Sequence, residues 1–359
     1  MAPPTVSLDE VSKHNNENDA WLVISNRVYD VTSFLEDHPG GAEILLEEAG
    51  KDATESFEDV GHSEEARELL ENMLIGQLAN SQNHTRKEDK DGPHSPTANL
   101  PAAGERPASL FQLDPQQWHK LSLRGKTAVS PNVFQFRFNL PVAGKPLGLP
   151  VGQHIMVRAF ISGENVSRSY TPISDDNDLG YMDLLIKVYP KGAMTKHLES
   201  LTPGDEVEFR GPKGNMEYSR GYAAEIGMIA GGTGITPMYQ LIRAVCLNPM
   251  DDTAVSLLYA NNSLSDILLR KELDSLAKQF PHKFQVHYIL VHPPPGWTGS
   301  FGYVTGDLLR SRLPGPSNDA RILMCGPPPM LSAIGIAIAS LGYQRAGVPS
   351  RMPDEVFSF

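Results

Sequence analysis

Cysteine is almost missing from this chain: of 359 residues, only Cys246 and Cys325 carry a thiol. Two thiols cannot build a disulfide framework or a four-cysteine metal cluster, and so small a number suits a reducing compartment. Long apolar runs are missing too. The longest candidate, Ile334 to Leu341, reaches about a third of the span a membrane helix needs, so no transmembrane segment is expected. The first residues, Met1-Ala2-Pro3-Pro4, lack the basic-then-apolar order of a secretory signal. What remains is the expectation of a soluble, cytoplasmic chain, or one peripheral to a membrane through a partner, with length for two or three domains.

Basic charge is scarce in one part of the chain. Residues 1–79 hold 18 acidic side chains and four basic ones, a net of -14, so the other 280 residues must carry +2 to reach the overall -12. Such a split points to two modules with different surfaces and excludes phosphate-driven nucleic-acid binding by the acidic one. A basic partner for it is expected, and the rest of the chain is one candidate.

In the acidic module, Ser7-Leu8-Asp9-Glu10 is a capping-box pattern that starts a short helix. Ala20–Ser25 and Val28–Val31 alternate as two strands around Ser25-Asn26-Arg27, and helical runs are expected over 42–49 and 63–74. Between them, His38-Pro39-Gly40-Gly41 presents an imidazole from a stiff, uncrowded turn, and Gly61-His62-Ser63 repeats the arrangement. Two imidazoles facing one apolar slot can close both axial positions of a haem iron. Val31, Phe34, Leu45, Phe57, Leu70 and Leu74 then line the slot or the core beneath it. From about Asn80 to Pro107 no hydrophobic period survives, so residues 80–115 are assigned to a flexible linker.

Between Trp118 and Ser219 short alternating runs recur: Lys120–Ala128, Val133–Asn139, His154–Ala159, Arg168–Pro172, Met182–Val188 and Glu206–Arg210. Separated by Gly and Pro, they suggest a small antiparallel barrel. The run Arg168-Ser169-Tyr170-Thr171-Pro172-Ile173-Ser174 offers a flavin cradle: a guanidinium fork for the pyrophosphate, a phenol for the ribityl-ring junction and a small hydroxyl for the ring edge. Taken alone it is also compatible with an edge strand ending in a turn. Lys191-Gly192-Ala193-Met194-Thr195 opens a helix whose amides can hold a second face of the pyrophosphate. His154 is read as structural.

The apolar strand Ile226–Ala230 runs into Gly231-Gly232-Thr233-Gly234-Ile235-Thr236-Pro237 and a helix to Cys246. Its glycines let backbone amides approach a pyrophosphate, although Pro237 stands where the dinucleotide fingerprint has its third glycine. Strands Ala254–Ala260, Phe284–Val291 and Arg321–Cys325 alternate with helices expected from Asp266, Thr305 and Pro329, the pattern of a helix-covered parallel sheet. Cys325-Gly326-Pro327-Pro328-Pro329-Met330 ends the last strand, where ligands collect on such sheets. Asp266 is placed to accept from a ribose 2′-OH, or simply to cap the helix.

Two resemblances now join these readings. Residues 5–79 resemble cytochrome b5, which implies that His38 and His62 are the axial ligands of haem b. Residues 116–359, with Arg-x-Tyr-Thr, Gly-Gly-Thr-Gly-Ile-Thr-Pro-Met, Cys-Gly-Pro-Pro-Pro-Met and a terminal Phe in order, resemble NADH-cytochrome b5 reductase. That likeness assigns Arg168, Tyr170, Thr171, Gly192, Met194 and Thr195 to FAD, and Gly232, Thr233, Cys325, Gly326 and Met330 to the nicotinamide side. Lys187 and Tyr189 serve both nucleotides, Phe359 borders the nicotinamide pocket, and Thr171 and Cys325 are the expected catalytic residues. Two departures are Ser169, where many relatives have Pro, and the short 189–194 segment, which resembles the fungal type.

The expected architecture is multidomain: an α+β haem module (1–79), the linker, an antiparallel β-barrel FAD module (116–220) and an α/β parallel-sheet NADH module (221–359). The expected activity passes electrons from NADH through FAD to a bis-histidine haem and on to an acceptor, either a desaturase- or oxidase-type protein or a ferric or quinone-like small molecule. Two rivals are a nitrate-reductase-like diaphorase, which would need a molybdenum domain of several hundred residues before the b5-like part, where only six residues stand, and a haem-binding adaptor with an inactive reductase half.

Overall fold

A computed structural model describes residues 4–35, 38, 45–46, 48–54, 56–57, 64–79, 113–344, 346–347 and 350–359. They divide into two compact units.

The N-terminal unit is a mixed sheet with short helices. Its strands are β1 (Thr5–Val6), β2 (Asn15–Asn16), β3 (Asp19–Ile24), β4 (Arg27–Asp30) and β5 (Leu74–Leu78), in the order β1-β5-β4-β3-β2. Ser7 caps helix α1 (Leu8–Val11) by accepting from the Glu10 amide, as the capping box requires. Ser25 and Asn26 both take positive φ, 50° and 61°, so the hairpin turns on two residues and Arg27 already belongs to β4. The expected 63–74 helix stops at Glu71, as helix α2 (Glu64–Glu71), and Leu74 instead opens β5. Pairing overrides local periodicity there: Leu74 faces Tyr29 on β4, while Gln77 faces both Arg27 and Thr5. Val11, Val23 and Val28 are fully buried at the centre. Val31 is buried, whereas Phe34, Leu45, Phe57, Leu70 and Leu74 each keep part of their surface exposed.

The larger unit begins with six strands: β6 (His119–Ser130), β7 (Val133–Asn139), β8 (His154–Ile161), β9 (Glu164–Tyr170), β10 (Tyr181–Lys187) and β11 (Glu206–Lys213). They form one antiparallel sheet in the order β10-β7-β6-β11-β8-β9. The two edge strands meet just past β9, where the Ile173 amide donates to the Asp183 carbonyl at 2.9 Å and the Asp183 amide to Ser174 Oγ at 3.1 Å. The barrel is therefore closed by the tail of the Arg168–Ser174 run. Alternate residues such as Phe136, Phe138, Leu184 and Ile186 fill its interior, each burial stabilising the fold by about 1.5–3 kcal/mol. Helix α3 (Ala193–Ser200) adds Met194 and Leu198 to that core.

The second part of this unit is a parallel sheet of β12 (Glu225–Gly231), β13 (Ala254–Asn261), β14 (Phe284–Leu290), β15 (Ser300–Phe301), β16 (Ala320–Cys325) and β17 (Val356–Ser358). The order is β15-β14-β13-β12-β16-β17, so the chain changes direction of travel between β12 and β16. Helices α4 (Ile235–Leu247) and α5 (Arg270–Gln279) cover one face, and α6 (Gly306–Arg312) and α7 (Pro328–Ser340) cover the other. Burial on both faces explains why the central strands read as continuous apolar runs. The helix expected from Asp266 starts at Arg270 instead, because Ser263 and Asp266 close a capping box around a single 3-10 turn. No helix among the described residues is long and apolar enough to cross a membrane.

Candidate active site

The Arg168 run lies where β9 leaves the sheet. Arg168 pairs with Val157 and Tyr170 with Ile155, so both side chains share one face, and Ser169 takes the opposite one beside Met156. Ser169 Oγ donates to Met156 Sδ at 3.1 Å. This contact steadies the position where a proline is absent. Arg168 is half-buried and donates from Nη1 to the Ser167 carbonyl at 2.7 Å. Thr171 is half-buried and Pro172 buried, and the chain then turns toward β10.

Helix α3 begins at Gly192 with no side-chain cap, leaving its first amides for an anionic ligand. A Cβ on Gly192 would overlap the Thr195 hydroxyl, so any larger residue forces that hydroxyl to turn away. That hydroxyl donates to the Gly192 carbonyl and accepts from the Tyr189 amide, both at 3.2 Å. Met194 is 1% exposed, with its side chain in the barrel core, so any contact to a ligand there falls to its backbone. Tyr189 is exposed, and Lys187 Nζ lies 6.0 Å from its ring centroid. A FAD pyrophosphate fits this donor set of guanidinium and helix amides.

The third element sits at the direction change of the parallel sheet. Gly232 has φ +55°, and Gly232–Gly234 form a 3-10 turn before α4. A Cβ on Gly234 would overlap the Cys325 carbonyl oxygen, and one on Gly231 would lie 2.6 Å from Met330 Sδ. Gly326 is less crowded but still tight: a Cβ there would lie 3.2 Å from the Gly231 amide nitrogen. The two loops thus pack backbone to backbone, and nothing lies within 4 Å of a Cβ added to Gly232, an arrangement that a planar ligand and its phosphates would fit. Thr233 is half-buried, and its carbonyl accepts from Thr236 Oγ1 at 3.2 Å. Burial pushes the Cys325 thiol up to about 12, so it stays protonated at neutral pH. Phe359 is held, not loose: β17 runs beside β16, the Phe359 amide donates to the Met324 carbonyl at 3.0 Å, and its ring meets Phe357 edge-on at 5.0 Å. Asp266 lies apart from these contacts; its Oδ2 accepts from the Ser263 amide at 3.0 Å and hydroxyl at 2.6 Å.

Tyr259 was not among the expected site residues. Fully buried on β13, it donates from its hydroxyl to the Gly232 carbonyl at 2.9 Å and accepts from the Leu268 amide at 3.3 Å, tying the glycine loop to the Asp266 turn. Its neighbours in the strand, AVSLLYAN, give no signal of the role, because both partners come from other segments.

In the N-terminal unit, His38 follows the 3-10 turn Thr32–Phe34. Its amide donates to the Leu35 carbonyl at 3.4 Å, and its half-buried ring lies edge-on to Phe34 at 5.8 Å. The donor chemistry and partial exposure fit an iron-binding imidazole. His62 lies outside the described residues.

A barrel with an anion-binding strand and helix end, followed by a parallel sheet with a glycine cradle at its direction change, defines a flavin- and pyridine-nucleotide-dependent oxidoreductase. Three family models match along the chain: a cytochrome b5-like heme/steroid binding domain over residues 7–79, an oxidoreductase FAD-binding domain over 120–218 and an oxidoreductase NAD-binding domain over 228–335. NADH-cytochrome b5 reductase 1 of Scheffersomyces stipitis is 50% identical across 69% of this chain and 87% of its own length. The NADH nitrate reductase of Lotus japonicus is 39% identical across 94% of this chain, which spans 41% of that relative's length. Among solved structures, the cytochrome b5 reductase domain of Ulva prolifera nitrate reductase matches with a TM-score of 0.64 and 36% identity, over 69% of this chain and 100% of that one. The chain belongs to the NADH-cytochrome b5 reductase family, with a cytochrome b5 domain fused ahead of its FAD and NAD domains.

Proposed function

We propose that this chain carries electrons from NADH through FAD to a haem held by His38 and His62, and from there to a separate acceptor. The observation that carries the reading is the backbone-to-backbone cradle of Gly231–Gly234 against Cys325–Gly326, in one compact unit with the Arg168 run. Bound FAD supplies the step down from a two-electron hydride donor to a one-electron haem. Arg168 and the amides of Met194 and Thr195 hold its pyrophosphate, Gly192, whose own amide donates to the Tyr189 carbonyl, gives it room to approach, Tyr170 holds its ribityl-ring junction and Thr171 its ring edge. Gly232, Thr233, Gly326 and Met330 shape the nicotinamide pocket, Phe359 borders it, and Lys187 and Tyr189 touch both nucleotides. The protonated Cys325 gives the nicotinamide a soft, uncharged neighbour, without a thiolate that would attack the ring. Asp266 keeps Oδ1 for a ribose hydroxyl while Oδ2 caps Ser263.

The proposed module bounds are 1–79, 116–220 and 221–359, joined by residues 80–115. A span of 36 linker residues, if coil-like, has an r.m.s. length of roughly 35 Å, which tethers the haem module without setting its orientation. We place the protein in the cytoplasm, peripheral to a membrane only through its acceptor. The acceptor is a desaturase- or oxidase-type protein, or a ferric or quinone-like small molecule. A second reading, an electron-feeding segment like that of nitrate reductase, is favoured by a relative whose match runs through both the haem and reductase modules.

An absorbance titration with NADH under argon tests the path. Bleaching of a flavin band followed by reduced-haem bands is expected. An unchanged spectrum would leave a haem-binding adaptor with an inactive reductase half.

A further inference from the structure

Helix α4 carries the glycine cradle at its N-terminus, and one of its faces reaches the barrel. Gln240 Oε1 accepts from the Gly152 amide at 2.6 Å. One turn on, Arg243 pairs with Asp175 through Nη2 at 2.5 Å, donates from Nη1 to the Ile173 carbonyl at 3.1 Å and lies 3.8 Å from Asp178 Oδ2. These acceptors belong to the tail of the Arg168 run and the turn that follows it. Within that turn the Asp178 amide donates to the Asp175 carbonyl at 3.0 Å, and the Asp175 amide to Asp178 Oδ2 at 2.9 Å. Two carboxylates are thus folded toward each other, and Arg243 is the cation between them. The side chains are only 21%, 23% and 24% exposed for Arg243, Asp175 and Asp178, so solvent screens them poorly.

The acidic turn is braced in turn from the barrel. The Tyr181 hydroxyl donates to Asp178 Oδ1 at 2.5 Å, a bond that raises the Tyr181 pKa. Arg137 covers the Tyr181 ring at 3.8 Å and grips Asp183 with two bonds of 2.7 and 2.6 Å. Asp183 is the residue whose carbonyl receives the Ile173 amide. A continuous polar path therefore runs from strands β7 and β10, through the tail of the flavin run, to a single arginine on the nucleotide helix.

We propose that Arg243 is a positioning residue for hydride transfer, holding the Arg168–Ser174 run and the glycine cradle in one fixed relation. This rests on reading those two segments as the flavin and nicotinamide sites. In the transfer, NADH gives up one hydrogen nucleus with two electrons to the flavin and leaves as NAD+; Arg243, committed to Asp175 and the Ile173 carbonyl, acts through those segments and not on the reactants. Its leverage is mechanical. Ile235 to Arg243 is eight residues of helix, about 12 Å, so a slip at Arg243 moves the cradle. A misplacement of about 1 Å in a reacting pair costs on the order of 100-fold in rate. Lysine cannot substitute fully, because a point charge does not reproduce the fork that spans Asp175 and the Ile173 carbonyl.

The test is stopped-flow flavin reduction by NADH under argon in wild type, Arg243→Gln, Arg243→Lys and Asp175→Asn, with FAD content and hydrogen exchange measured on the same holoproteins. For Arg243→Gln we expect full FAD content, an NADH dissociation constant within about twofold of wild type, a limiting rate at least tenfold lower and faster exchange at the Ile173 and Asp175 amides. Arg243→Lys should recover part of the rate. Asp175→Asn should slow it too, with the Arg243→Gln and Asp175→Asn effects less than additive in the double variant. An unaltered limiting rate in FAD-loaded Arg243→Gln overturns the proposal, as does a loss of rate that only follows loss of FAD. A wild-type flavin left oxidised by NADH overturns the underlying site assignment, and the inference with it.

Discussion

Gly234 abuts the Cys325 carbonyl so closely that a Cβ on it would overlap that oxygen and lie 2.9 Å from the Gly326 amide nitrogen. Neither atom can yield cheaply, since both belong to backbone at the end of β16, between β12 and β17. The approach makes one cradle of two loops that are distant in the chain.

Gly234→Ala should therefore spread the cradle while leaving the barrel intact. We expect stoichiometric FAD and NADH binding weakened at least tenfold, or about 1.4 kcal/mol, read by fluorescence quenching. Gly335→Ala is the control, because nothing lies within 4 Å of a Cβ there and alanine favours a helix. Equal NADH affinity in wild type and Gly234→Ala would contradict the argument.

Cys325→Ser should lower the hydride-transfer rate about tenfold or more with FAD still bound, because a harder, smaller hydroxyl replaces the thiol beside the nicotinamide. Equal rates would remove Cys325 from the mechanism. Burial raises the thiol from its usual 9.0 to about 12, so the folded state holds this proton more tightly than the unfolded chain. The stability it contributes is fully present below pH 9 and is lost as pH rises toward 12. Chemical denaturation between pH 8 and about 11 should show wild type losing stability faster than Cys325→Ser.

His62→Ala tests the haem proposal. Removing one of two axial imidazoles frees a coordination position, so carbon monoxide should bind the ferrous haem of the variant and not of wild type. A low-spin spectrum identical to wild type would show that His62 is not a ligand.

Asp266→Thr separates two roles for one carboxylate. Loss of a ribose partner and of a charge that repels a 2′-phosphate should raise NADPH efficiency about tenfold, measured as kcat/KM. Because Oδ2 caps Ser263, the melting temperature should also fall by a few degrees, for a loss of about 1 kcal/mol. A lower melting temperature with NADPH use as poor as before would leave Asp266 as a cap alone.

Local sequence determined much of this protein. Alternation over Val133–Asn139, the Ser25-Asn26 turn, the Ser7 cap and the apolar run into Gly231 each specify their own backbone, because their causes lie within a few residues. Tertiary structure alone decided the rest. Leu74 has a helical neighbourhood but is claimed by Tyr29 across the sheet. The terminal Val356–Ser358 becomes a strand only because β16 offers an open edge, and Phe359 is held through that ladder. Nothing near Tyr259 or Arg243 in the chain marks them, since their partners, the Gly232 carbonyl and the Asp175 carboxylate, arrive from other elements. A side chain's bond to a distant backbone or carboxylate depends on how whole sheets and helices pack, and that information is spread over the fold and not written at the residue.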